Sequence, residues 1–457
     1  ALTHDIVWME EREVNGQKVL APVVYLAQAE GRLAPNGALI QGRELSLISG
    51  GALNNAGTLR ATENLQASGE NIGNTGLMQT NGRLQLLAKD SIRNARGGIL
   101  KGQDVSLVAL TGDIENERSV IEHQSATSNT DRQQSFVDSA ARIEADNDLL
   151  IRAGKDIRNI GGAISAGGDA ALEAGNDLIL GSAEAENRQN SWDRKGHSYQ
   201  NSITQYGSDV QVGRDLQAVA GRDLLVVGST VKAGGDIDLA AGGDMSIISS
   251  ADENHSDYYR KSGGKKVVSQ EDHVKQVASV IEAGGNLKAQ ADGNLVLASS
   301  QLKAGNEAYL YAGEQLALIA NQNTDYSLYD KKKKGGWGSK ETQRDEVTTI
   351  RHIGTEITTG SNLTLASAGD QLYQRARLDS GADLTLQSGG GITFEAVKDL
   401  DQESHEKSKD NAFWTSMKGK GTTDETVLQS ALVAKGEVAI SAVEGLKIDI
   451  KEVNQQT

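Results

Sequence analysis

The chain has 457 residues, 24% of them charged, and a formal net charge of −16. That balance argues against nucleic-acid binding, because gripping phosphates needs a basic surface. Cysteine is absent, which excludes disulfides and thiolate chemistry, and no run approaches the ~18 apolar residues of a membrane-spanning helix.

Residues 5–25 read DIVWMEEREVNGQKVLAPVVY. Two apolar-rich runs flank Asn15-Gly16, a strong hairpin-turn signal, so residues 1–35 are expected to form a capping segment. No signal peptide stands at Ala1 and the sequence stops abruptly at Thr457, so the chain reads as part of something longer. Pro22 and Pro35 are its 2 prolines. None follows, as expected of strands paired on both sides, where proline would remove a ladder hydrogen bond.

From residue 36 onward a turn phrase recurs. It is most regular between Gly213 and Ser250, where Gly-x-Asp-apolar begins at Gly213, Gly221, Gly234 and Gly242. The steps are about 8, 13 and 8 residues, giving a full period of about 21. Further copies run from Asp146 to Gly175, from Gly284 to Gly313 and, more loosely, from Gly360 to Gly389. Leu216, Leu224, Leu295 and Leu386 alternate with small or polar neighbours, and period two means strand. Glycine tolerates the corner, and the Asp two places on is expected to bond the backbone of its own turn. Each period therefore holds three short strands and three corners. One such coil cannot bury its apolar face, but stacked coils can. The predicted fold is all-β: a parallel β-helix of about 21 residues per coil, right-handed by the general preference of parallel crossovers. Residues 36–116 read as plain coils, with Asn54, Asn55, Asn71, Asn74 and Asn94 suited to stacking at turns.

Residues 117–457 read as coils interrupted by five polar insertions, at about 117–143, 183–208, 250–278, 321–349 and 397–430. Each leaves after the second strand of a coil and returns before the third. Corresponding corners at Asp146, Gly213, Gly284, Gly360 and Lys435 lie about 67 to 76 residues apart, so one insertion falls every two coils. The insertions NSWDRKGHSYQ, DYYRKSGGKKVVS, YSLYDKKKKGGWGS and FWTSMKGKGTT share aromatics, then Lys with Gly, then a return, which is a hairpin pattern. A hairpin has two strands, and two coils rise by two strand spacings of ~4.8 Å each. Successive hairpins are therefore expected to stack into one more sheet beside the helix. Roughly 15 coils remain for the helix, a rod of ~70 Å.

The Gly-Gly-Asp phrases resemble calcium-binding nonapeptide repeats, but the spacing favours structural turns. His123, His197, His255, His273 and His405 fall in the insertions, one or two per hairpin, too dispersed for a metal site and read as solvated. Asp236 and Asp244 recur coil after coil, as turn residues do, whereas a catalytic pair should break the repeat. No catalytic residue, metal ligand or cofactor is expected. The candidate contact residues are in the hairpins: Trp192, Tyr199, Tyr258, Tyr259, Lys331, Lys332, Lys333, Lys334, Trp337, Phe413 and Trp414. Trp and Tyr beside Lys suit a membrane interface or a protein partner, and equally suit packing against the next hairpin. The lysine run suits an acidic surface, including lipopolysaccharide phosphates, or else a solvated tip that discourages edge pairing.

The A-G-x-D-L-x-L repeats at 213–250 and 284–318, interruptions such as YDKKKKGGWG, and the opening DIVWMEEREVNGQKVLAPVVY carry a resemblance. The chain resembles the filamentous haemagglutinin-type exoproteins of two-partner secretion, most closely the second haemagglutinin repeat region of CdiA effectors of contact-dependent growth inhibition. The family's secretion domain and its toxin with a Val-Glu-Asn-Asn boundary are not in this sequence. The resemblance implies export through a CdiB-type outer-membrane transporter and display on the producing cell. It also implies engagement of the target cell's outer membrane, or a protein in it, to pass a toxin into the periplasm. A monomer in solution is expected. A structural stalk or adhesin, and a carbohydrate-active β-helix enzyme, are the alternative readings.

Overall fold

A computed structural model describes residues 6–14, 17–25, 38–335, 339–411, 414–449 and 455–456. Three parallel sheets of 13 strands each wrap one core among these residues, so the solenoid has 13 coils and a length of ~60 Å. The first face runs from strand Leu39–Gly42 to Ala431–Ala434, the second from Leu45–Ile48 to Val438–Ala442, and the third from Leu53–Asn55 to Gly445–Ile448. The count is 13 against the roughly 15 expected, and Ile6–Val14 and Gln17–Tyr25 form a separate antiparallel pair outside the coils. The turn at Asn15-Gly16 lies outside the described residues.

Alternation builds the core. Along each strand every second side chain points inward, as in Leu216, Ala218 and Ala220 or Leu224 and Val226, all buried. In one column large and small residues alternate: Leu172, Ala218, Leu239, Ala289 and Leu310 are stacked in register on the second face. Each fully buried leucine supplies roughly 1.5–3 kcal/mol of apolar transfer energy.

The Gly-x-Asp corners work across coils. Asp215 N–H donates to Asp169 Oδ1 at 3.1 Å, Asp236 N–H to Asp215 Oδ1 at 2.8 Å, and Asn286 N–H to Asp236 Oδ1 at 2.7 Å. A second column does the same at Asp177, Asp223, Asp244 and Asn294. This corrects the expectation that each Asp bonds its own turn. The coil above rises by one strand spacing, ~4.8 Å, and that is the reach of a short carboxylate to the next backbone N–H. Stacked carboxylates repel, and arginines offset this: Arg214 lies 3.0 Å from Asp148 and 3.1 Å from Asp169. Burial opposes the charge on Asp156, yet the Asn176 amide, the Asp177 N–H and the Arg158 guanidinium hold its carboxyl below the usual range.

At the third corner, buried asparagines form a spine in the first coils. Asn55 Nδ2 donates to Asn74 Oδ1 at 2.8 Å, Asn74 to Asn94 at 2.8 Å, Asn94 to Asn116 at 2.9 Å, and Asn116 to Asn159 at 2.7 Å. Above Asn159 the inward position turns apolar, through Leu180 and Val226 to the stacked rings of Tyr373 and Phe394. Serines take over the polar work at the same corner, with Ser208, Ser229, Ser279 and Ser300 all buried.

Replacing Asn94 by Ala strands its partners Asn74, Asn116, Gly98 and Arg142, whose bonds lie within a buried column. The expected loss is about 3 kcal/mol in urea unfolding. The exposed Gln66–Gln85 amide bond offers the contrast: Gln66→Ala should change stability by less than about 0.5 kcal/mol.

Candidate interaction surface on the hairpin sheet

The third corner is also where the chain branches. It makes a tight turn in alternate coils, with Gly161, Gly228, Ser299 and Arg375 in the left-handed region at φ 60, 52, 50 and 48°. In the intervening coils it departs into a hairpin. The two devices are coupled. Gly161 N–H donates to Gly181 O at 2.9 Å, Gly228 N–H to Ile248 O at 3.0 Å, and Ser299 N–H to Ile319 O at 3.2 Å. Those carbonyls lie just before the departing strands. The residue on which the hairpin returns closes the same point: Ser208 Oγ donates to Gly181 O at 2.7 Å, and Ser279 Oγ to Ile248 O at 2.6 Å.

The hairpins are Val120–Ala126 with Thr130–Val137, Ala183–Asp193 with Gly196–Tyr206, Ser250–Ser262 with Lys265–Val277, Asn321–Lys334 with Lys340–Ile353, and Val397–Asn411 with Trp414–Leu428. They pair edge to edge into one antiparallel sheet, which residues 455–456 join as its eleventh strand. Strand length grows along the chain from 7 to 15 residues, so the last hairpin reaches ~50 Å. Beyond its base the sheet is a single layer with both faces half-buried or exposed.

Strand alternation divides the candidate contact residues between those faces. Trp192, His197 and Tyr259 share one cross-strand row, with Tyr199 and His255 in nearby rows of the same face. Lys332 lies in register with Lys266 on that face, and Lys334 opposite Lys340. Tyr258, Lys331, Lys333 and Trp414 are on the other. Trp337 and Phe413 lie outside the described residues. On the first face the rings pack sideways: His197 stacks on Tyr259 at 5.5 Å, Tyr199 meets His255 at 5.5 Å, and Lys266 sits over Tyr259 at 5.4 Å. Trp192 is 41% exposed and Tyr258 38%, whereas Trp414 is 72% exposed.

The histidines are not simply solvated. Each of five meets an aspartate on a neighbouring strand: His273–Asp325 at 2.7 Å, His405–Asp345 at 2.9 Å, His352–Asp399 at 3.1 Å, His197–Asp257 at 3.5 Å, and His255–Asp272. Four of these link one hairpin to the next. Among the described residues no group of three or more His, Asp or Glu is placed to hold a metal ion.

Sequence reading missed Arg260, Lys265, Lys407, Lys409, Lys418 and Lys420, which share the face of Lys331 and Lys333. The signal was present in the period-two spacing Lys407-x-Lys409 and Lys418-x-Lys420. It carries meaning only once the register of adjacent hairpins is known.

Known proteins resemble this chain over most of its length. Residues 118–198, 192–267, 259–337 and 334–436 each match one haemagglutinin repeat family, and residues 21–118 match another of the same description. The change from one to the other falls where the first hairpin departs. A tRNA nuclease CdiA of Escherichia coli is 30% identical over 411 residues, which is 88% of this chain and 12% of that protein. A deoxyribonuclease CdiA of Dickeya dadantii is 30% identical over 407 residues, 84% of this chain and 11% of its own length. A tRNA nuclease CdiA of Yersinia mollaretii is 32% identical over 238 residues, 49% and 8%. The chain thus spans about a tenth of the length of these relatives. No solved structure matches it.

The His405–Asp345 bond gives the seam between the last two hairpins a defined pH dependence. Hydrogen bonding to Asp345 raises the His405 pKa, and the same bond, with Gln343, lowers that of Asp345. The histidine contribution is complete below its ordinary value near ~6.5 and is lost as pH rises through the raised value. The aspartate contribution holds above its ordinary value near ~4 and is lost as pH falls through the lowered one. Amide exchange in strands 340–353 and 397–411, corrected for intrinsic rate, is expected to be slowest between about pH 4 and 6.5 and to quicken on the alkaline side. His405→Gln should remove the alkaline change.

Proposed function

Because the chain belongs to the haemagglutinin repeat family, as a filamentous haemagglutinin-type segment similar to CdiA proteins, we propose that it engages the target cell's outer membrane and helps deliver a C-terminal toxin. The single-layer hairpin sheet carries this reading. Its strands reach ~50 Å from the solenoid, and both faces present side chains to solvent. A hairpin row that served only to brace the coils would gain nothing from strands that lengthen away from them. The working residues are those of the hairpins: Trp192, Tyr199, Tyr258, Tyr259, Lys331–Lys334, Trp337, Phe413 and Trp414.

Export runs through a CdiB-type outer-membrane transporter, as membership of the family implies, and places the segment on the surface of the producing bacterium before it meets the target cell. The segment is not itself an enzyme. Relatives with comparable identity over this region carry the names tRNA nuclease, deoxyribonuclease and 16S rRNA endonuclease. A segment shared by three chemistries is not the seat of any one of them. A stalk or adhesin is the second reading, favoured by the sideways packing of Tyr199 and Tyr259 against neighbouring histidines.

Tryptophan emission separates the two. With outer-membrane vesicles from susceptible bacteria, emission should shift to the blue, and the shift should vanish when Trp192, Trp337 and Trp414 become Phe. An unchanged spectrum together with no co-sedimentation would leave the stalk reading standing.

A further inference from the structure

In a chain of net charge −16, one face of the outer part of the hairpin sheet is strongly basic. Across six adjacent strands, one row reads Arg260, Val267, Lys331, Gln343, Lys407 and Lys418. The next row outward reads Ser262, Lys265, Lys333, Glu341, Lys409 and Ser416, and the next inward ends on His405 and Lys420. These three rows hold eight Lys or Arg against Glu341 and Asp345, and His405 already binds Asp345. Seven of the eight are exposed and Lys331 is half-buried. Among the described residues, Arg260 alone of them comes within ion-pair distance of a carboxylate, 3.8 Å from Asp193.

The opposite face differs. Among the described residues three of its cations are engaged, Lys332 lying 3.5 Å from Asp330, Arg344 2.9 Å from Glu346 and Lys266 over the Tyr259 ring, while Lys261, Lys334 and Lys340 are exposed. Its outer rows also hold Asp330, Glu406 and Asp410, so its excess of positive charge is smaller. Lys331–Lys334, one run in sequence, thus divides between the two faces, with Lys331 and Lys333 on the more basic one.

We infer that this basic face docks on a membrane surface bearing phosphate headgroups, an inference that rests on the membrane-engaging reading above and assigns it to one face. The patch is a plane of about 24 by 14 Å, from five strand gaps and two same-face steps. Its shape suits a surface better than a rod. A polyanion running along the strands toward the solenoid would meet the row that holds Glu271 and Glu403. Trp414 stands exposed beside the lysines, over a hollow of about 480 Å³ lined by Lys333, Lys340 and Lys409 and by the carboxylates of Glu341 and Asp410. Tryptophan among lysines is the composition of a headgroup-level contact. Each lysine held near an anionic surface strengthens binding about fivefold.

Two charge-matched variants of the full chain test the assignment by co-sedimentation with vesicles of phosphatidylcholine and phosphatidylglycerol, with pure phosphatidylcholine as control. Lys331→Gln/Lys333→Gln/Lys409→Gln removes three charges from the basic face, and Lys266→Gln/Lys332→Gln/Lys334→Gln removes three from the other. The first should weaken binding on the order of a hundredfold, and the second by less than about tenfold. Added salt should weaken the wild type and abolish the difference. Equal losses from both variants would overturn the one-face assignment and leave membrane engagement intact. Wild-type binding that ignores both variants, or that is as tight on phosphatidylcholine alone, would overturn the phosphate chemistry. No binding to any vesicle would sink the membrane reading along with it. Lysine-dependent binding to a DNA duplex without vesicle binding would replace the proposed occupant.

Discussion

Strand spacing governs this molecule. Parallel strands in the coils and antiparallel strands in the hairpins share one separation of ~4.8 Å. Two coils therefore rise as far as the two strands of one hairpin are wide. A hairpin on every coil would crowd its neighbours, and a hairpin on every third would leave an open edge between them. One hairpin every two coils lets a continuous sheet grow beside the solenoid. The left-handed corners at Gly161, Gly228 and Ser299 follow from the same arithmetic, since each supports the carbonyl at which the next hairpin leaves.

The same rise decides how polar groups are satisfied. Backbone groups at corners cannot all be met within one coil, so the next coil meets them. Aspartate carboxylates bond the N–H one coil above, asparagine amides bond amides one coil above, and serine hydroxyls cap the carbonyls that a departing hairpin leaves behind. Repetition stabilises the rod but also stacks like charges, which Arg214 relieves at Asp148 and Asp169 and Arg222 at Asp177 and Asp223. The hairpin sheet solves a different problem. With no second layer to cover it, it is held by pairing along its seams, where aspartates meet histidines and aromatic rings meet their neighbours. Its outer surface is thereby free to carry charge for a purpose other than folding.

Much of this was written in the sequence, because periodicity is a local property. Gly-x-Asp at steps of about 8 and 13 and alternation at Leu216 and Leu224 require three-stranded coils, and the polar segments with Lys and Gly require hairpins. What period two does not state is which residue of one hairpin faces which residue of the next. Lys331–Lys334 looked like a single basic tip, and His255 like a solvated side chain. Alternation within one strand separates Lys331 and Lys333 from Lys332 and Lys334, but only register gathers Lys407, Lys409, Lys418 and Lys420 beside the first pair and sets Asp272 against His255. The sequence by itself determined the solenoid, its period and the places where hairpins branch, since those depend on neighbours along the chain. Only the tertiary structure decided which way each carboxylate reaches and which face of the sheet is basic, since both depend on pairing between different strands and different coils.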